Sequence, residues 1–133
     1  MILKFRAWDK NTNDMVDVKT IDLEKDGSIG CIVDYNGINL DMSECVLMQS
    51  TGLKDTNGVE SWEGNYLTKE GCWPFFIKWI ENEGCLMAVP VNSVQKTNWK
   101  PVSVKELLDK GYVNNSNIYE NPELLESVQN ERF

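Results

Sequence analysis

The chain has 133 residues, of which 41% are apolar and 26% are charged, a balance typical of one globular domain rather than of a disordered segment. Its 13 basic and 21 acidic side chains give a net charge of -8, which disfavours binding to nucleic acid or to an anionic membrane surface. Because the sequence contains no histidine, Ser-His-Asp and Cys-His catalytic arrangements are excluded in their usual forms.

The first predicted element is a β-strand at the N-terminus, where apolar and basic residues alternate. The apolar residues are Leu3, Phe5 and Ala7, and the basic ones are Lys4 and Arg6. This alternation predicts one buried face and one solvated face that carries the two cations. The segment lacks the apolar core and the cleavage site of a signal peptide, and no later stretch approaches the ~20 apolar residues of a membrane helix. The protein is therefore expected in the cytoplasm.

Short runs of strand-forming residues follow. They cover residues 15–18, 29–33, 38–42 and 45–49. Asn36 and Gly37 separate two of these runs, and this pair favours the positive φ angles of a hairpin turn. Strands of this length and spacing predict a mainly β fold, either an antiparallel meander or a small antiparallel barrel.

The loop from Thr51 to Gly64 is the candidate site for a ligand or a partner. It concentrates polar and charged side chains between glycines that let a ligand approach the backbone. These side chains are Thr51, Lys54, Asp55, Asn57, Glu60 and Glu63. Glu63 could act as a general base, and Lys54 could contact an anion. The alternative is a hairpin loop whose Asp, Asn and Gly residues only serve its turn geometry.

The segment from Trp73 to Ile80 is apolar on both of its faces. This pattern predicts a strand that is either central to a barrel or part of a subunit interface. Pro74 places the start of the strand at an edge or a bulge. Residues 81–84 form a turn that leads into a second strand over residues 85–91, which completes a hairpin.

The pattern becomes helical near the C-terminus. Ser103 and Glu106 form a capping box, which predicts a short helix that Gly111 can end. Asn121 and Pro122 predict the start of a second short helix over residues 123–128. The sequence thus predicts one domain, with residues 1–95 as a β body and residues 96–133 as a helical C-terminal appendage.

The cysteines do not form a recognisable metal site. They are Cys31, Cys45, Cys72 and Cys85. None of them belongs to a C-x-x-C pair, whereas structural zinc sites take their ligands as closely spaced pairs. We predict four reduced, mostly buried thiols and neither a metal nor a cofactor.

Three segments carry a family resemblance. They are residues 4–10 (KFRAWDK), residues 48–58 (MQSTGLKDTNG) continuing to the Glu-Gly pair at 63–64, and residues 117–125 (NIYENPELL). In this order and spacing they resemble the YopX family of phage and prophage proteins. The resemblance implies a predominantly β fold, homo-oligomers and a bacteriophage origin, and it implies no established reaction.

This chain departs from the family pattern at several positions. After the second Asn-Gly pair the family usually has an aliphatic residue followed by Tyr-Glu-Gly-Asp. Ser61, Trp62 and Asn65 stand here at the aliphatic, tyrosine and aspartate positions. The glycine that the family has before Asn117 is Ser116 in this chain, which predicts that the turn there does not require a positive φ.

The functional prediction is a phage accessory protein that acts as a non-enzymatic, homo-oligomeric interaction module in the bacterial host, with an acidic surface that binds a host or phage protein. The five tryptophans are then assigned to the core or to a subunit interface. Two alternatives stay open. One is a nucleic-acid-associated protein or an acidic mimic of DNA, and the other is a hydrolase that uses carboxylates such as Asp55 and Glu63.

Overall fold

The computed structural model of the chain describes residues 3–91 and 100–122. These residues form ten β-strands and one helix. The elements are β1 (Phe5–Asp9), β2 (Asp14–Leu23), β3 (Ile29–Asp34), β4 (Asn39–Asp41), β5 (Cys45–Lys54), β6 (Glu60–Trp62), β7 (Asn65–Thr68), β8 (Phe75–Ile80), β9 (Cys85–Pro90), α1 (Val104–Asp109) and β10 (Val113–Asn117). The prediction of a mainly β fold is confirmed.

The predicted barrel is wrong. The described strands form two open antiparallel sheets, because the strands at the two edges of each sheet do not pair with each other to close it. The meander is confirmed for β1 to β4, where neighbours in sequence are neighbours in the sheet. The second predicted helix, over residues 123–128, lies outside the described residues. In the part of the chain that is described, no helix is long and apolar enough to cross a membrane.

The chain divides into two compact units, Met1–Ser50 and Thr51–Phe133. In the first unit the strand order is β4-β3-β2-β1-β5. Ala7 and Ile32 are fully buried at the centre of its core. Ala7 lies opposite Val16 on β2, and Ile32 lies opposite Leu40 on β4. Paired residues share a face of the sheet, so these pairs gather the apolar side chains on one face, as the alternation in β1 predicts.

The β3–β4 hairpin confirms the first Asn-Gly turn. Gly37 has a φ of 85°, and its N–H donates to the carbonyl oxygen of Asp34 (3.1 Å). The Asp34 carboxylate also accepts hydrogen bonds from the backbone N–H groups of Asn36 (2.9 Å) and Ile38 (2.8 Å). Asp34 therefore holds the turn with its side chain while it is itself buried.

The second unit contains a sheet with the order β10-β7-β8-β9. Its core takes fully buried side chains from three of these strands, and α1 packs against it. The core residues are Leu67, Ile77, Ala88, Val104, Leu107, Leu108 and Tyr112. Ser103 is the N-cap of α1, and its hydroxyl accepts a hydrogen bond from the Glu106 N–H (3.4 Å). The first predicted helix, with its cap, is therefore confirmed.

The β8–β9 hairpin is also confirmed, with six residues of each strand in register. Strand β8 lies between β7 and β9 in an open sheet, so it is a central strand of a sheet and not of a barrel. Pro74 directly precedes β8, where its missing N–H costs no ladder hydrogen bond. Ala88 of the edge strand β9 bridges to Val102 on its outer side.

The prediction of mostly buried cysteines is only half right. Cys45 is buried and Cys31 is half-buried, whereas Cys72 and Cys85 are exposed. The two exposed cysteines lie where strands start or turns end, outside the apolar alternation that decides burial.

Candidate functional site

The predicted site loop begins in β5 and is tied there to β6. The Thr51 hydroxyl donates a hydrogen bond to the carbonyl oxygen of Ser61 (2.7 Å) and accepts one from the N–H of Leu53 (3.1 Å). The hydroxyl therefore serves as a donor and as an acceptor within the loop. Thr51 therefore positions the two strands and has no hydrogen-bonding capacity left to offer as a donor.

Asp55 is the most enclosed carboxylate of the loop, with 7% of its surface exposed. One carboxylate oxygen accepts hydrogen bonds from the N–H groups of Asn57 (2.8 Å) and Val59 (3.0 Å). The other accepts from the backbone N–H (2.9 Å) and the side-chain amide (3.0 Å) of Asn114. All four donors belong to the chain itself, so the carboxylate acts as a structural cap.

Two opposed effects set the pKa of the Asp55 carboxyl. Burial raises it, because a charged group loses hydration, and the hydrogen bonds from Asn114, Val59 and Asn57 lower it, because they favour the ionised form. The hydrogen bonds prevail, and the pKa of Asp55 lies below its ordinary value. The group is therefore ionised at neutral pH and is a poor candidate for a general acid.

Asn114 connects the loop to the edge strand β10. Its side-chain amide also donates to the carbonyl oxygen of Val59 (3.1 Å), and its side-chain oxygen accepts from the amide of Asn65 (3.0 Å). Its backbone N–H reaches Asp55 from the edge of the sheet. The sequence did not predict either asparagine, Asn65 or Asn114, as part of this network. The Asn-rich run 114–117 is a signal for a turn, but it does not reveal a partner 59 residues away.

Of the other predicted site residues, Asn57 contacts Asp55 through its backbone N–H. Lys54 and Asn57 are exposed. Glu63 is half-buried and lies close enough to Tyr119 to affect it. Burial raises the pKa of the Tyr119 hydroxyl, and the negative charge of Glu63 raises it further.

A compact turn follows β10 in the segment that begins with Asn117. The side-chain oxygen of Asn117 accepts hydrogen bonds from the N–H groups of Tyr119 (3.0 Å) and Glu120 (2.8 Å), and its amide donates to the Glu120 carboxylate. Asn117 is 3% exposed. It caps the turn in the way that Asp55 caps the loop.

The expectation that this turn needs no positive φ is wrong, since Ser116 has a φ of 70°. The left-handed conformation is unfavourable for a residue with a Cβ atom. Here the Ser116 hydroxyl donates a hydrogen bond to the side-chain oxygen of Asn121, and this contact helps to offset the strain. Ser116 thus adopts the positive φ that glycine favours.

The loop from Thr51 to Gly64 and the turn that begins with Asn117 are joined at Gly64. Its N–H donates to the carbonyl oxygen of Ile77 in β8 (2.7 Å), and its own carbonyl accepts from the N–H of Ile118 (2.9 Å). The Tyr66 hydroxyl donates to the carbonyl oxygen of Asn121 (3.3 Å). The central loop and the C-terminal turn therefore form one hydrogen-bonded scaffold. In the described ranges, no group of three His, Cys, Asp or Glu residues is arranged to hold a metal ion.

Ser61 gives a first testable consequence. Its side chain is fully buried, and within residues 3–91 and 100–122 its hydroxyl has no hydrogen-bond partner. The Ser61→Ala variant removes this desolvated hydroxyl without breaking a bond, so we expect the free energy of unfolding to rise by about 1 kcal/mol in urea denaturation.

The matched control is Thr51→Val, which removes a hydroxyl that is used twice. It is expected to lower the free energy of unfolding by about 1 kcal/mol. A loss of stability in Ser61→Ala comparable to that in Thr51→Val would contradict the assignment of an unpartnered hydroxyl.

Two comparisons with known proteins cover most of the chain. A family model described as YopX protein matches residues 4–126. The crystal structure of protein EF1440 from Enterococcus faecalis is similar to this chain, with a TM-score of 0.67 and 28% sequence identity over 94% of this chain and 99% of that chain. No curated protein matches the chain. Neither description names an activity.

Proposed function

The chain belongs to the YopX family, and from that premise we propose that it is a phage accessory protein that acts as a non-enzymatic, homo-oligomeric interaction module. It works in the cytoplasm of the bacterial host, where its acidic surface binds a host or phage protein. The net charge of -8 supports a protein partner over nucleic acid.

The observation that carries this proposal is the state of Asp55. Both of its carboxylate oxygens already accept hydrogen bonds from the chain, through Asn57, Val59 and Asn114. A catalytic carboxylate needs an oxygen that can reach the substrate. The loop from Thr51 to Gly64 is therefore better suited to shape a surface than to carry out a reaction.

The surface also carries large apolar side chains of the kind that protein interfaces bury. In the first unit Tyr35 and Ile38 are 69% and 51% exposed at the tip of the β3–β4 hairpin. In the second unit Trp73 and Trp79 are 42% and 43% exposed. Aromatic residues are enriched in protein interfaces because they bury much area for little lost conformational freedom.

Two measurements test the proposal. Light scattering coupled to size exclusion is expected to give a mass that is a multiple of the 15.2 kDa chain. Affinity purification of the tagged protein from infected host lysate is expected to recover a stoichiometric protein that survives nuclease treatment and moderate salt. A chain that is monomeric at every concentration and retains no protein would contradict the proposal.

An acidic mimic of DNA is the second candidate, and one feature of the first unit favours it. Asp22, Cys31 and Asp41 lie side by side in register across β2, β3 and β4. Both carboxylates are exposed. Burial and the neighbouring Asp22 raise the pKa of the Cys31 thiol. These three side chains therefore place a neutral thiol between two carboxylates. Such a mimic would capture a DNA-binding protein, and salt would release that protein. A complex between an ordinary adaptor and its partner is less sensitive to salt.

A carboxylate-dependent hydrolase is the third candidate. Such an enzyme would depend on Glu63, because both carboxylate oxygens of Asp55 already accept hydrogen bonds from other residues of the chain. In that case Glu63→Gln would abolish a turnover without a change in stability or assembly. A Glu63→Gln variant that keeps its assembly and its partner supports the interaction module instead.

A further inference from the structure

The tip of the β8–β9 hairpin, residues 78–87, is where the apolar face of the second sheet reaches the surface. Phe75, Ile77 and Trp79 share one face of β8. Ile77 is fully buried opposite Ala88, whereas Trp79 is 43% exposed opposite Leu86, which is half-buried. The indole of Trp79 thus lies at the end of the core, and more than two fifths of its surface is open to solvent.

Acidic residues follow Trp79 in the hairpin turn. Glu81 and Glu83 are exposed. In this turn the backbone N–H groups of Glu83 (3.1 Å) and Gly84 (2.8 Å) donate hydrogen bonds to the carbonyl oxygen of Ile80. Within the described part of the chain neither carboxylate takes part in a hydrogen bond or ion pair with another side chain. The nearest cation in sequence, Lys78, directly precedes Trp79 in β8 and therefore lies on the opposite face of the strand.

We propose that the tip of the β8–β9 hairpin binds an arginine-bearing basic segment of another protein, with a guanidinium on the Trp79 indole and its donors on Glu81 and Glu83. The inference rests on the interaction function proposed above and names the class of partner. Tryptophan is the best aromatic partner for a cation. Arginine combines a planar face that stacks on an indole with a fork of N–H donors that fits carboxylates.

A second copy of the chain is a poorer occupant of this surface. In a two-fold symmetric interface the same patch meets itself. Glu81 and Glu83 of one copy would then face the same residues of the other, between chains that each carry a net charge of -8. The charge of the hairpin tip therefore favours a different and basic chain.

The test is a calorimetric titration of the full chain with oligoarginine and oligolysine peptides at low and moderate salt. Oligoarginine is expected to bind more tightly than oligolysine. The Trp79→Ala variant is expected to weaken oligoarginine binding by about 2–5-fold, with a smaller loss for Trp79→Phe, which keeps an aromatic ring. The Glu81→Gln/Glu83→Gln variant is expected to weaken it by about tenfold.

The matched control is Glu24→Gln/Glu70→Gln, which removes the same charge from two exposed positions elsewhere. Equal weakening by the two pairs of substitutions, equal affinity for oligolysine, or full affinity in Trp79→Ala would overturn the proposal. Loss of self-association in Trp79→Ala without loss of peptide binding would assign the indole to a second copy and would also overturn it. Light scattering of the wild-type chain reports separately on the homo-oligomer, so the two proposals can fail independently.

Discussion

The Asp55→Ala variant is expected to unfold with a free energy about 4 kcal/mol below that of the wild-type chain. The substitution removes a buried carboxylate and leaves the N–H groups of Asn57, Val59 and Asn114, together with the Asn114 side-chain amide, without their acceptor. Hydrogen bonds to charged groups are stronger than neutral ones, and four of them are lost together. Urea denaturation followed by circular dichroism gives the difference.

Asp34→Ala is the internal control for this prediction. Asp34 caps the β3–β4 turn with the same two local bonds, to Asn36 and Ile38. Within the described residues, its carboxylate makes no hydrogen bond to a distant strand, in contrast to that of Asp55. Its loss is expected to cost about 2 kcal/mol. If the two variants lose the same stability, the link from Asp55 to Asn114 contributes little, and the scaffold role assigned to the loop is wrong.

The stability that Asp55 confers is expected to depend on pH in one direction. Because the pKa of the folded-state carboxyl is lowered, its contribution is fully present above the unfolded-state pKa of about 3.9 and is lost as the pH falls through the folded-state value. The Asp55→Asn variant should therefore lose less stability than the wild type as the pH falls below ~4. Parallel acid profiles of the two proteins, measured by urea denaturation, would contradict this.

The Gly64→Ala variant is expected to lose about 2–3 kcal/mol of unfolding free energy. Gly64 is buried and has a φ of 91°, a conformation that side chains with a Cβ atom rarely adopt. Its backbone cannot relax freely, because hydrogen bonds to Ile77 and from Ile118 hold it on both sides. Thermal and urea denaturation measure the loss.

Gly58→Ala is the control that separates backbone strain from the constraint imposed by hydrogen bonds. Gly58 has a φ of 79°, and a Cβ atom at this position would meet nothing within 4 Å. Its substitution is expected to cost about 1 kcal/mol, which is the strain alone. If Gly64→Ala and Gly58→Ala lose the same free energy of unfolding, the hydrogen bonds to β8 and to the C-terminal turn do not constrain Gly64.

The local elements of this fold could be predicted from the sequence because their determinants are local. The Asn-Gly pairs mark two hairpin turns, and Ser103 marks the start of the helix. The sequence also repeats one turn motif. The turns read Asp-Tyr-Asn-Gly-Ile at 34–38 and Asp-Thr-Asn-Gly-Val at 55–59, and the first residue of each is a buried cap. Comparing the two would have assigned Asp55 to the turn rather than to chemistry.

Other features depend on contacts that the local sequence does not contain. Asn114 meets Asp55 across 59 residues, and only the pairing of β10 with β7 brings them together. The φ of Ser116 was misjudged because its strain is offset by a bond to Asn121, a partner that turn preferences do not include. Sheet closure is likewise a property of all strands together, so strand length and spacing could not decide between a barrel and open sheets.

The edges of the two sheets bear on how this chain behaves at high concentration. A mainly β protein with long open edges recruits copies of itself, strand upon strand, into fibrils. In the described part of the chain, β4 and β6 are the edge strands of the larger sheet and have three residues each. In the smaller sheet, the edge strand β9 is bridged by Val102, and the N–H of Asn114 on the edge strand β10 is bonded to Asp55. The carboxylate of Asp55 therefore also occupies an edge donor that a strand of another copy would otherwise pair with.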